Sequence, residues 1–148
     1  MKHFLTLLLL ILTLLPVSAI KKFEPHPINV AAVIVEKTDS AQIASTCEYY
    51  GFTYQEVEDG YTVMKRPNGN ELRFTFRENG IAQKYPTIRV KTKRTHKEID
   101  SKLKELDFER TGNLYEIKRN QYSRYTTQCS MGPHNTLIFQ RLYNNTHK

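Results

Sequence analysis

The sequence predicts an α+β domain made of two copies of one unit, and three observations carry that prediction. A stretch that reads as a helix running into a strand occurs twice, as Thr38 to Phe52 and as Thr95 to Phe108. Its apolar positions coincide at a fixed offset: Ile43, Cys47, Tyr50 and Phe52 each stand 56 positions before Ile99, Leu103, Leu106 and Phe108. Short strands punctuated by turn signals follow each copy. One offset shared by four apolar positions points to duplication. The expected architecture is tandem duplicated β-α-β-β-β units forming one mainly antiparallel sheet, with two helices packed on one face.

The elements follow in chain order. Lys2 and His3 precede an apolar run from Phe4 to Leu15, and Pro16 to Ala19 offer a small-residue cleavage site. This is the plan of a secretory signal peptide over residues 1–19. An apolar run of this length falls short of the roughly 20 residues that span a bilayer core, so no transmembrane segment is expected in the mature chain. Residues 20–27 contain two prolines and read as an extended arm. The globular domain is placed at 28–143, with unit one at 28–80 and unit two at 86–143, and a disordered tail at 144–148.

Within unit one, Ile28 to Val35 is rich in β-branched residues and reads as the first strand. The first helix has Asp39 or Ser40 as its N-cap, an apolar face of Ile43, Cys47 and Tyr50, and Gly51 as its left-handed terminator. Phe52 to Glu58 and Tyr61 to Arg66 form a hairpin about Asp59-Gly60. Pro67 to Asn70 make a further turn. Glu71 to Arg77 then alternates, with Leu72, Phe74 and Phe76 facing one way and Arg73, Thr75 and Arg77 the other.

Unit two opens with a strand at Thr87 to Lys93. Thr95 and Glu98 have the spacing of a capping box at the start of the second helix, whose apolar stripe is Ile99, Leu103 and Leu106. Phe108 to Thr111, Leu114 to Lys118 and Thr136 to Tyr143 complete the strands. Between the last two, the second copy is longer than the first. The extra chain near Asn120 to Asn135 reads as a protruding hairpin or a long bent loop.

The chain carries 22 Lys and Arg against 15 Asp and Glu, a formal net charge of +7 that falls to +6 without Lys2. A basic exported protein is suited to anionic partners. Alternation that buries Leu72, Phe74, Phe76, Ile88 and Val90 sends Arg73, Arg77, Arg89, Lys91 and Lys93 to the opposite, uncovered face. These five form the candidate partner-binding face. A helix-backed sheet with an open basic face is similar in plan to β-lactamase-inhibitor-type and TATA-binding-type tandem folds. No residue motif of either is present, and the likeness carries no function.

Cys47 and Cys129 are the two cysteines. In an exported chain they suit a disulfide joining the halves, and Cys47 equally suits a buried thiol, since it stands where Leu103 stands in the second copy. No G-x-S-x-G, Walker loop, H-E-x-x-H or C-x-x-C occurs. The histidines are scattered, and His134 reads as part of a turn. No catalytic residue, cofactor site or metal site is therefore assigned. The expected function is that of a small secreted or periplasmic, non-enzymatic binding protein, an inhibitor or interaction module with a protein or other acidic surface as partner. A nucleic-acid or anionic-polymer binder is the alternative, weakened by the export signal and the lack of a recognition motif.

Overall fold

Pro27 decides the first element. Its fixed φ and missing N–H suit the first helical position, and in a computed structural model residues Pro27–Lys37 form an α-helix, α1. This corrects the expectation of a strand at Ile28 to Val35. The structure describes residues 25–38, 40–79, 83–117 and 125–143, with backbone alone at 37, 40, 77–79, 83–85 and 143. The signal segment, Asp39 and the tail lie outside the described residues. His26 is the N-cap of α1, its Nδ1 accepting from the Ile28 N–H at 3.2 Å. Ile28, Val30, Ala31, Ala32, Ile34 and Val35 are all buried. An apolar run that is buried nearly all round shows neither helical nor strand periodicity.

A short 3₁₀ turn, Ser40–Gln42, leads into α2 (Ile43–Tyr49), whose N-cap Gln42 makes no side-chain capping bond. The helix ends as its sequence implies. Gly51 has φ +83° and its N–H donates to Glu48 O, while the Phe52 N–H donates to Cys47 O. That pair of bonds is a Schellman motif. The third helix, α3 (His96–Glu105), ends in the same way: the Asp107 N–H donates to Lys104 O, the Phe108 N–H donates to Leu103 O, and Asp107 has φ +64°. Its start carries the capping box, with Thr95 N–H donating to Glu98 Oε2 at 2.7 Å.

Eight strands make one sheet: β1 (Thr53–Glu58), β2 (Tyr61–Lys65), β3 (Glu71–Asn79), β4 (Gln83–Lys91), β5 (Glu109–Thr111), β6 (Leu114–Ile117), β7 (Tyr125–Gly132) and β8 (Thr136–Tyr143). Their order is β1-β2-β3-β4-β8-β7-β6-β5, and every neighbouring pair is antiparallel. The Asp59-Gly60 turn has both φ values positive, as a two-residue hairpin requires. The extra chain in the second copy is neither loop nor protrusion over 125–132; it is β7, paired with both β6 and β8. β4 starts before Thr87 and ends at Lys91, so Lys93 lies past the strand.

One apolar cluster joins α1, α2 and α3 to alternate strand residues, among them Met64, Leu72, Phe74, Ile88, Val90, Leu137 and Phe139. α1 lies against β4, β8 and β3. Phe108 and Phe139 meet edge to face, with centroids 5.9 Å apart. Among the described residues no helix is long and apolar enough to cross a membrane.

Candidate binding face

Strand register fixes which residues lie opposite the core. Arg73 pairs with Arg89 across β3 and β4, Arg89 with Ile138 on β8, and Lys91 with Thr136. Val63 on β2 pairs with Arg73. Because directly paired residues share a face, Val63, Arg73, Arg89, Lys91, Thr136 and Ile138 lie together, away from the core side of Leu72, Phe74, Ile88 and Val90. Arg73, Arg89 and Lys91 are thus brought to one face, as the alternation implies. Arg77 pairs with Tyr85 at the far end of β3, and its side chain is outside those described. Lys93 is exposed at the exit of β4.

The cations on this face are not equivalent. Arg73 is half-buried and engaged, with Nη1 2.7 Å from Glu58 Oε2 and Nε bonded to Glu71. Lys65 also approaches Glu71, at 3.4 Å. Burial alone pushes the Glu71 carboxyl upward, but the bonds and charges of Arg73 and Lys65 outweigh it and hold it below the ordinary carboxylate range. Arg73 therefore offers less free charge than Arg89 and Lys91. Arg89 is exposed and lies over the Tyr61 ring, its guanidinium carbon 4.2 Å from the centroid. That contact orients the group without neutralising it. Among the described residues, no carboxylate lies within ion-pair distance of Arg89, Lys91 or Lys93.

Two clefts adjoin this arrangement. One, of about 330 Å³, lies on the face between Arg89, Lys91 and Ile138, with Glu58 and Glu71 on one side and His134 on the other. The second, of about 670 Å³, wraps round the end of the sheet where β4 exits and is lined in part by Lys91, Lys93, Arg94 and Asn135. His134, expected only as a turn residue, lines both. His134 and Asn135 both have positive φ in the β7–β8 turn. Arg94 went unnoticed in the sequence because it follows the strand; nothing in alternation marks a residue beyond a strand end.

His26 closes one wall of the second cleft. The Ile28 N–H is aimed at Nδ1 at 3.2 Å and the Arg94 Nε–H at Nε2 at 3.4 Å; a neutral imidazole has one acceptor nitrogen, so the ring accepts from one of these two donors at a time. Burial first, then the charges of Arg94, Lys102 and Arg66, push the His26 pKa below its ordinary value. The cap is thereby kept neutral.

Cys47 and Cys129 are free thiols, both fully buried, and the disulfide between them is not formed. Burial, helped by Glu48, pushes the Cys47 thiol up to about 12, and burial raises Cys129 as well. Among the described residues no group of three or more His, Cys, Asp or Glu is placed to hold a metal ion. No family model, no curated protein and no solved structure matches the chain.

Proposed function

We propose that this chain is a small secreted or periplasmic, non-enzymatic binding protein that docks an acidic protein surface on the open face of its sheet. The observation that carries the reading is the pair Arg89 and Lys91. Both are exposed on the central strand β4, without an acid partner among the described residues. Two unneutralised cations on a rigid strand give long-range steering and a fixed register to an acidic partner. The scaffold beneath is read as a tandem duplication whose repeating unit is a helix and four strands, α2 with β1–β4 and α3 with β5–β8. What supports this is the shared 56-residue offset and the matching Schellman ends at Phe52 and Phe108. In that arrangement both helices pack on one face and leave the other for the partner.

The test uses the mature chain, immobilised, against its own exported fraction. Arg89→Glu combined with Lys91→Glu is expected to abolish capture of the partner and leave the thermal midpoint nearly unchanged. Capture by the parent should weaken as salt shortens the reach of the charges below about 8 Å. Equal capture by the reversed variant overturns the reading. Retention on heparin or DNA columns at high salt would favour the polyanion alternative instead.

A further inference from the structure

We propose that the cleft at the end of the sheet is a separate binding site for a compact phosphate-bearing ligand, held by Lys91, Lys93 and Arg94. Three cations within four consecutive residues line one cleft, and among the described residues none has a carboxylate at ion-pair distance. Glu71 also borders the cleft, but Arg73 and Lys65 already engage it. The charge of Arg94 is partly offset by Glu98 and Glu105 on α3, whose carboxyls it helps hold below their ordinary range. The cleft keeps an excess of positive charge in a concave space, where field lines concentrate and an anion is drawn in. Lysines act there as point charges, and an arginine supplies a planar fork suited to phosphate oxygens.

The cleft wall is already built. The Thr92 N–H donates to Asn135 O at 3.0 Å, tying the exit of β4 to the β7–β8 turn. The Arg94 N–H donates to the Thr92 hydroxyl at 3.1 Å, and Thr92 itself is 9% exposed. The backbone that presents Lys93 and Arg94 is thus pinned at two points, so little ordering is needed when a ligand arrives. The N-terminus of α1 points no spare amide into the site. Pro27 has no N–H, Ile28 donates to His26 Nδ1, and Asn29 and Val30 donate to His26 O. The anion is accordingly held by side chains. At about 670 Å³ the space exceeds a bare phosphate and falls within the range of small-molecule sites, about 300–1,000 Å³. Asn68, Asn70 and Asn135 give it a polar rim for the rest of the molecule.

Calorimetric titration of the mature chain with pyrophosphate at physiological salt tests the site. Sub-millimolar binding is expected, weakened at least about tenfold by Lys93→Glu and further by the addition of Arg94→Ala. Lys93→Glu alone keeps the test meaningful if Arg94→Ala disturbs the His26 cap. Lys91 borders both this site and the open face, so the two are told apart by the residues they do not share. Arg89→Glu should leave pyrophosphate binding in place, and Lys93→Glu should leave capture on the open face in place. Absence of sub-millimolar binding, unchanged affinity in Lys93→Glu, or equally tight binding of citrate would overturn the assignment.

Discussion

Arg73 and Arg89 stand opposite one another across β3 and β4, and their neighbours decide what each can do. Like charges directly opposed are destabilising. Glu58 and Glu71 neutralise Arg73, while Tyr61 takes the Arg89 guanidinium on its ring. One residue of the pair is spent on structure and the other is left available. The two cysteines illustrate the opposite case, in which environment removes chemistry. A thiol fully excluded from water and held neutral by burial is a poor nucleophile, because the thiolate is the reactive species. Cys47 and Cys129 should therefore resist a thiol reagent in the native protein at neutral pH. In denaturant without reductant, two thiols per chain should react. Reaction of none in denaturant would mean that the bond suggested by the sequence forms after all, with rearrangement of the core around Cys47. Rapid native reaction would mean that these positions are not buried.

At the scale of elements, the helix phase read from the sequence places Ile99 and Leu103 in the core, and both are buried. Replacing Leu103 by alanine should cost about 2–5 kcal/mol. Replacing Lys102, whose side chain is half-buried and pairs with an exposed Glu105, should cost less, about 1 kcal/mol or below. Urea unfolding of the two variants decides it, and equal small losses would sink the assigned phase. Other elements were less legible. Ile28 to Val35 carried β-branched residues, but its apolar run belongs to a helix buried nearly all round, and tertiary burial overrides that propensity. The signal present was Pro27 at the first helical position; the run Ile28 to Val35 is by itself of ordinary strand length. β7 was hidden for a different reason. Its core-facing positions include Thr127, Cys129 and Met131, and the first two are too small and polar to mark an alternating hydrophobic face. The candidate face was legible where alternation reaches, at Arg89 and Lys91. It was not legible beyond the strand end, where Lys93, Arg94 and the turn residues meet only through the fold.

On the scale of the whole molecule, α1 is fastened to the rest of the chain by two arginines at its opposite ends. Arg141 donates from Nε to Val35 O and from Nη2 to Thr38 O, at the C-terminal end of the helix, where a cation also suits the helix dipole. Arg66 works at the other end. Its Nη1 donates to Pro25 O at 2.7 Å, while Nε and Nη2 both donate to Tyr50 O, at 3.0 and 2.7 Å. The guanidinium also lies 4.2 Å from the centre of the Phe52 ring, and the residue is only 4% exposed. One planar group thus joins the chain ahead of α1, the end of α2 and the β2–β3 turn. Removing it leaves two part-buried carbonyls without their charge-assisted bonds, so Arg66→Ala should cost about 2–4 kcal/mol. Lysine keeps the charge but has a single nitrogen, which cannot reach Pro25 O and Tyr50 O while stacking on Phe52. Arg66→Lys should therefore recover less than half of the loss. Chemical denaturation with an unchanged slope measures both variants on one scale. A loss below about 1 kcal/mol for Arg66→Ala would show that α1 is held by apolar packing and Arg141 without Arg66, and full rescue by lysine would show that the planar fork is not needed.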